Sequence, residues 1–160
     1  LLDAAFGTER YDRPSYRLRD GTPPIADLCF VARRNTDILG TIRFWPLSIP
    51  ATQSALLLGP IAVDAAHGNL GIGSRLIEQS LDVARTRGHD AVVAIGEARY
   101  LSRFGFCPAH EFGLEFPAAV AAGRFHALEL QPDALQGGVA SWQKQAREAR
   151  RIQTRSSVRA

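Results

Sequence analysis

Cysteine is scarce in this chain. Its 160 residues hold two, Cys29 and Cys107, and neither sits in a C-x-x-C pair or a Cys/His cluster, which leaves out a disulfide framework, a zinc ribbon and a dithiol redox centre. Both read as reduced, buried thiols. Long apolar runs are missing too: hydrophobic residues make up 46% of the chain, yet no run approaches the roughly 18 residues of a spanning helix. A positively charged start feeding an apolar signal core is absent, so the reading is of a cytoplasmic protein with no membrane partner. His89, His110 and His126 share no ligand spacing, and no metal site can be built from them.

The net charge of +3 conceals an asymmetry. From Ser141 onward six basic residues (Lys144, Arg147, Arg150, Arg151, Arg155, Arg159) face one acidic residue, Glu148, for a net +5, so the remainder carries −2. The basic character belongs to a C-terminal tail, residues 140–160, and the domain proper spans residues 1–139, long enough to bury a core. A basic tail can bind nucleic acid. Nothing else in the chain builds a nucleic-acid surface, and a solvated terminal segment is the simpler reading.

The stretch from Leu56 to Arg87 organises the rest. Leu56-Leu57-Leu58-Gly59-Pro60-Ile61-Ala62-Val63 is a continuous apolar run of strand length, which predicts a buried central strand. Gly59-Pro60 inside it predicts a bulge or splay, since proline has no N–H for the ladder and glycine tolerates irregular backbone. Gly68-Asn69-Leu70-Gly71-Ile72-Gly73 then feeds a helix whose Ile72, Leu76, Ile77, Leu81 and Ala84 fall on one face. Gly88 ends it in a left-handed position, with Arg85 and Arg87 at the negative end of the dipole. A glycine-rich turn at a helix N-terminus aims unpaired N–H groups at one point, which makes an anion site.

Spacing decides among the phosphate binders. The dinucleotide fingerprint places G-x-G-x-x-G directly after a strand, whereas here G-x-x-G-x-G follows the further residues Asp64 to His67. A P-loop ends in Gly-Lys-Ser/Thr, and Gly73-Ser74-Arg75 has no lysine. The turn resembles instead the Gln/Arg-x-x-Gly-x-Gly/Ala motif of the GNAT acetyltransferase superfamily, with Ile61-Ala62-Val63-Asp64 matching its strand end and Gly71-Ile72-Gly73 its core. Gly68 stands where the family has Gln or Arg, which removes a side chain and no backbone amide. Arg103-Phe104-Gly105-Phe106 resembles a second piece of the superfamily, the aromatic-Gly-Phe beside the cofactor's pantetheine. Over Leu1 to Gln131 the pattern is similar to that of YhbS-type bacterial N-acetyltransferases.

The resemblance implies an α/β protein with the GNAT (acyl-CoA N-acyltransferase) fold, a mixed central sheet splayed at its fourth and fifth strands and flanked by helices. It implies acetyl-CoA as co-substrate, with the pyrophosphate on the amides of Gly68, Asn69, Leu70, Gly71, Ile72, Gly73 and Ser74. The pantetheine arm is implied along Ile61, Ala62 and Val63, beside Arg103 and Phe104. The implied activity is transfer of an acetyl group to an amine by direct attack in a ternary complex, the alternative being a catalytically inactive acyl-CoA-binding sensor or scaffold. A small-molecule or peptide amine is the implied acceptor, and formation of a homodimer stays open. Family members open with a strand ahead of the first helix, so that strand is expected to be missing here.

Around this centre, Leu1–Phe6 reads as a helix broken at Gly7, Tyr11–Arg19 as a short arginine-rich segment, and Asp20–Pro24 as a loop. Leu28–Ala32 and Ile38–Trp45 read as a hairpin. Asp90–Gly96 reads as a strand parallel to the central one, joined to it by a right-handed crossover. Glu97–Phe104 reads as a short helix stopped by Gly105, and Phe112–Phe116 and Phe125–Leu130 as the last strands.

No Ser-His-Asp or Cys-His pattern is apparent, which argues against an acyl-enzyme. The amine must then lose a proton and the thiolate gain one, while in the family layout a backbone N–H near Val63 polarises the thioester carbonyl. Glu97 is the candidate base, in competition with a plain role at the helix dipole. Tyr100 is the candidate acid, one position before Leu101, where the family carries its tyrosine. One residue along a helix turns a side chain by about 100°. Tyr100 is therefore expected to face the core or the surface, and turnover without a tyrosine acid is the working expectation.

Overall fold

The apolar run at the centre of the chain is a strand with neighbours on both edges. The computed structural model describes residues 1–12, 14–19, 21–49, 52–116 and 120–135. β1 (Phe30–Arg34) and β2 (Asp37–Leu47) form the predicted hairpin, turning at Asn35, whose φ of 55° is one that asparagine tolerates. β2 lies antiparallel to β3 (Ala55–Val63), the central run, and β4 (Ala91–Ile95) lies parallel to it. β5 (Cys107–Pro108) and β6 (Phe125–Glu129) complete a six-stranded sheet in the order β1-β2-β3-β4-β6-β5.

Four helices accompany the sheet among the described residues: α1 (Leu2–Phe6), α2 (Pro14–Arg17), α3 (Ile72–Thr86) and α4 (Ala98–Leu101). The helical spacing read from the sequence puts Leu76, Ile77, Leu81 and Ala84 of α3 against the sheet. Each of its Leu and Ile side chains contributes about 1.5–3 kcal/mol when fully buried. Ser80 falls on the same face and meets its own need, its hydroxyl donating to the Leu76 carbonyl at 2.7 Å. At the C-terminus Gly88, with φ 76°, lets its own N–H reach the Arg85 carbonyl (3.0 Å) and the His89 N–H reach Ala84 (3.1 Å), the paired bonds of a Schellman stop.

Strand alternation divides the interior into two layers. Leu56, Leu58, Val92 and Ala94 face α3 with Ile42 and Phe44, while Ala55, Leu57, Ala91 and Val93 meet Ile49, Leu114 and Leu135 on the opposite face. Parallel pairing of β3 with β4 runs only from Ala55↔Ala91 to Leu58↔Ala94. Gly59 follows with φ 122° and a cis peptide to Pro60. Against β2, Phe44 pairs with Leu58 but Ile42 with Ile61, so β3 carries one residue more than its partner. Beyond that bulge residues 61–63 stay paired, among the described residues, to β2 alone, and their other edge is open. These two strands are the splayed pair that the resemblance numbers fourth and fifth.

Three local expectations are corrected. Phe112–Phe116 is not a strand: Ala109–Phe112 is a 3₁₀ turn, Gly113 turns back at φ 65°, and the Leu114 N–H bonds to the Ala109 carbonyl at 3.0 Å. The alternation of Phe112, Leu114 and Phe116 serves a packed loop, and β6 pairs instead with Cys107 and Pro108. Leu28 ends a 3₁₀ turn (Ala26–Leu28), so the hairpin begins at Phe30. Cys29 and Cys107 are free and half-buried rather than buried. Among the described residues no helix is long and apolar enough to cross a membrane, and the tail, residues 140–160, lies outside them.

Candidate active site

The glycine turn is built by three backbone reversals. Asp64 starts them, its Oδ1 accepting the Ala66 N–H at 2.8 Å as cap of the 3₁₀ turn Ala65–His67. Asn69 (φ 61°) and Gly71 (φ 75°) then bring the chain round into α3. The first helical bond runs from the Arg75 N–H to the Gly71 carbonyl at 3.0 Å. The N–H groups of Ile72, Gly73 and Ser74 thus have no backbone acceptor among the described residues, and they point where the helix dipole is positive. They border a cavity of about 310 Å³ together with Val63, His67, Tyr100 and Arg103. Gly68, Asn69 and Gly71 line it as well, whereas Leu70 stands away from it, 65% exposed.

Tyr100 enters this cavity, against the expectation from helical phase. Its hydroxyl oxygen lies 2.8 Å from the point a Cβ on Gly73 would occupy, and its ring packs edge-on against Phe104 at 5.3 Å. The reason is competition for the core. Leu101 takes the interior position, 4% exposed and against Gly96, and α4 tightens into a 3₁₀ turn at Ser102, which leaves its neighbour the cleft. Arg103 reaches the Ser74 hydroxyl at 3.4 Å.

His67 borders the same cavity between two charges. Its Nδ1 is 3.2 Å from Asp64 Oδ1 and its Nε2 is 2.9 Å from the Arg34 guanidinium. A neutral ring protonated on Nδ1 satisfies both contacts. The bond to His67, and then the Ala66 N–H, hold the Asp64 carboxyl below its ordinary range. Arg34 escaped the sequence reading because it lies 33 positions from His67.

A second cavity, of about 240 Å³, opens on the other side of the splay, bordered by Gly59, Ile61 and Gly96. Arg10, Arg19 and Arg124 line it; Arg19 ends the arginine-rich segment, Arg10 precedes it and Arg124 stands alone in the sequence. Arg10 donates to Asp3 (2.7 Å) and to the Tyr16 hydroxyl (2.7 Å), and these bonds raise its pKa above the ordinary value. Arg124 pairs with Glu97. Arg19 lies between the rings of Tyr16 and Trp45, and the Trp45 indole N–H donates to the Gly59 carbonyl at 2.8 Å.

The acetyltransferase (GNAT) family model matches residues 1–106. The chain belongs to that family. It is 30% identical over 103 residues to the uncharacterised N-acetyltransferase YhbS of Escherichia coli K12, covering 62% of this chain and 60% of YhbS. It is 29% identical over 121 residues to YjhQ of the same organism, covering 70% and 67%. The chain thus spans about 60% of the length of the YhbS relatives it matches. Among solved structures, Escherichia coli YhbS in complex with CoA superposes with a TM-score of 0.69 at 25% identity, over 86% of this chain and 77% of that one. A GNAT acetyltransferase from Brucella melitensis in complex with acetyl-CoA gives 0.53 at 32% identity, over 67% and 60%.

Within this GNAT fold the remaining predicted residues sort by place. Ile61 borders the second cavity and Val63 the first, on either side of the buried Ala62. Phe104 packs on Tyr100 and the core. The side chain of Glu97 is 73% exposed and paired to Arg124, while its carbonyl starts α4 by accepting the N–H groups of Tyr100 and Leu101 at 3.0 Å. The fold also joins a serine to a histidine, Ser54 Oγ to His89 Nδ1 at 2.6 Å. That pair sits at the N-terminal ends of β3 and β4, opposite the splay, and the Asp90 carboxylate beside it accepts the Gln53 and Ser54 N–H groups. Among the described residues no group of three or more His, Cys, Asp or Glu is placed to hold a metal.

Proposed function

We propose that this chain is an acetyl-CoA-dependent N-acetyltransferase working by direct attack in a ternary complex. The observation that carries this reading is the open edge of residues 61–63, with the free N–H groups of α3 on one side and a separate cavity on the other. The glycine turn suits a pyrophosphate, since the position of a Cβ on Gly71 meets nothing within 4 Å and the backbone is open to close approach. Ile61 to Val63 offer the unpaired strand edge for the pantetheine amides, and an N–H there polarises the thioester carbonyl. Arg103 and Phe104 flank that arm.

The donor supplies an activated acyl carbon: the amine nitrogen bonds to it, the carbon–sulfur bond breaks, the ammonium loses a proton and the thiolate gains one. Tyr100, with its hydroxyl in the cleft, gives that proton to the sulfur and regains one from solvent. Glu97, neutralised by Arg124, positions the guanidinium, and the ammonium's proton leaves to solvent. The acceptor is a small-molecule or peptide amine, and the use of acetyl-CoA fits a cytoplasmic enzyme.

Calorimetry with acetyl-CoA, followed by thiol release on adding amines, tests the reading. Gly71→Val puts a branched side chain at φ 75° and is expected to abolish CoA binding in a folded protein. Unchanged CoA affinity in that variant overturns the assignment. Binding without thiol release from any amine assigns the chain instead to acyl-CoA sensing or scaffolding.

A further inference from the structure

Arg19 holds a charge that the acetyltransferase reading does not use. It is 7% exposed, and its Nε and Nη1 have no hydrogen-bond partner among the described residues. A buried guanidinium with empty donors is strongly unfavourable unless something arrives to meet them. We propose that the acceptor amine carries an anionic group, a carboxylate or a phosphate monoester, which docks on the in-plane N–H edge of Arg19 in the second cavity. The proposal rests on the acetyltransferase reading and names the substrate class of that same site.

The geometry around Arg19 selects an in-plane partner. Its guanidinium carbon lies 4.4 Å from the centre of the Tyr16 ring and 5.5 Å from that of Trp45. The rings stabilise the cation through its faces. The Tyr16 hydroxyl also accepts from the guanidinium, which leaves Nε and Nη1 without a partner among the described residues, and a planar fork of donors fits the paired oxygens of a carboxylate or phosphate. Burial lowers the Arg19 pKa from its ordinary value, partly opposed by Tyr16, and an incoming anion would relieve that penalty.

Its described neighbours do not supply the anion. Arg10 and Arg124 line the same cavity, but each already has its own carboxylate, Asp3 and Glu97 respectively. With those two paired, Arg19 is the one arginine of the described lining without a carboxylate. It is also well placed for acyl transfer. Arg19 Nη2 lies 3.4 Å from the point a Cβ on Gly59 would occupy, at the bulge where β3 and β4 part. An anion held there sets its amine beside the open edge of β3. A volume of about 240 Å³ falls just under the roughly 300 Å³ floor of drug-sized ligand clefts and suits a small metabolite.

The test pairs amines that differ only in the anion: glycine with glycinamide, β-alanine with β-alaninamide, and phosphoethanolamine with ethanolamine. Thiol release from acetyl-CoA is measured for each, with wild type, Arg19→Lys and Arg19→Gln. The charged member of a pair is expected to be preferred at least about tenfold in kcat/KM, and the phosphate and carboxylate pairs tell which anion is read. Arg19→Gln should erase the preference through KM while CoA affinity stays unchanged, and Arg19→Lys should retain part of it. If no member turns over, saturation-transfer NMR on the CoA complex reads the same pairs, with signal expected from the charged members only. Equal response within every pair of the wild type, or a preference that survives in folded Arg19→Gln, overturns the proposal. Failure of wild type to bind CoA strikes the acetyltransferase reading itself, whereas CoA binding without a charge preference strikes only this inference. Should Arg19→Gln not fold, the wild-type pairs still decide.

Discussion

Gly73 and Tyr100 share one space, the tyrosine hydroxyl lying 2.8 Å from where a Cβ on the glycine would be. The α3 amides that suit a phosphate and the Tyr100 hydroxyl are therefore separated by a single position without a side chain. Gly73→Ala is expected to push the Tyr100 tip aside and to weaken CoA binding, with the fold kept because only the end of one side chain moves. Calorimetry and a thermal melt on the same sample check this; a variant that binds CoA as wild type does would show that the two groups do not compete.

Tyr100→Phe keeps the ring packing on Phe104 and removes only the hydroxyl. Turnover is expected to fall by about 10²-fold, the loss typical of a general acid, at unchanged CoA affinity. Turnover close to wild type would return the proton to water or to the acceptor's ammonium.

Glu97→Gln separates a base from a positioning carboxylate. Because the side chain is exposed and tied to Arg124, turnover is expected to stay within about tenfold of wild type. A loss of about 10² or more, with a displaced pH–rate profile, would make Glu97 the base.

Gly40 is where β2 admits α3. A Cβ there would stand 2.9 Å from Ile72 Cγ2, 3.1 Å from Leu76 Cδ1 and 3.3 Å from the Ala62 carbonyl oxygen. Gly40→Ala should destabilise the domain by about 1–3 kcal/mol, as overpacking does, and weaken CoA binding because Ile72 opens the helix that carries the turn. Denaturant titration with and without CoA measures both effects.

His89 sets an acid limit on stability. Burial places its folded pKa below the ordinary value of 6.5, so the unfolded chain takes up the proton first. Its contribution is fully present above pH 6.5 and declines as pH falls from there toward the folded pKa. The melting temperature is expected to drop between about pH 7 and pH 5, less steeply in His89→Gln. Parallel slopes for the two proteins would clear His89 of this role. Asp64, whose pKa is lowered, acts only in more acid solution: its contribution is lost as pH falls through that lowered value.

What the chain declares on its own is local. The stop at Gly88, the reversal at Gly71, the apolar face of α3 and the irregularity at Gly59-Pro60 each depend on backbone conformations and spacings within a few residues, so composition and order announce them. The anion turn and the family pattern were legible for that reason. Tertiary structure decided the rest, because the deciding partners lie far apart in sequence or compete for the same space. Leu101 won the core and so turned Tyr100 into the cleft, a contest that helical phase alone does not judge. Gly113 bent an alternating aromatic stretch into a loop, because the short strand at Cys107 had already taken the edge of β6. Glu97 and Arg124, separated by 27 positions, meet only once β4 and β6 are paired. Arg19 is one more arginine in a basic segment until β2 and β3 bring Trp45 and Gly59 beside it, and burial then leaves two of its donors without a partner among the described residues.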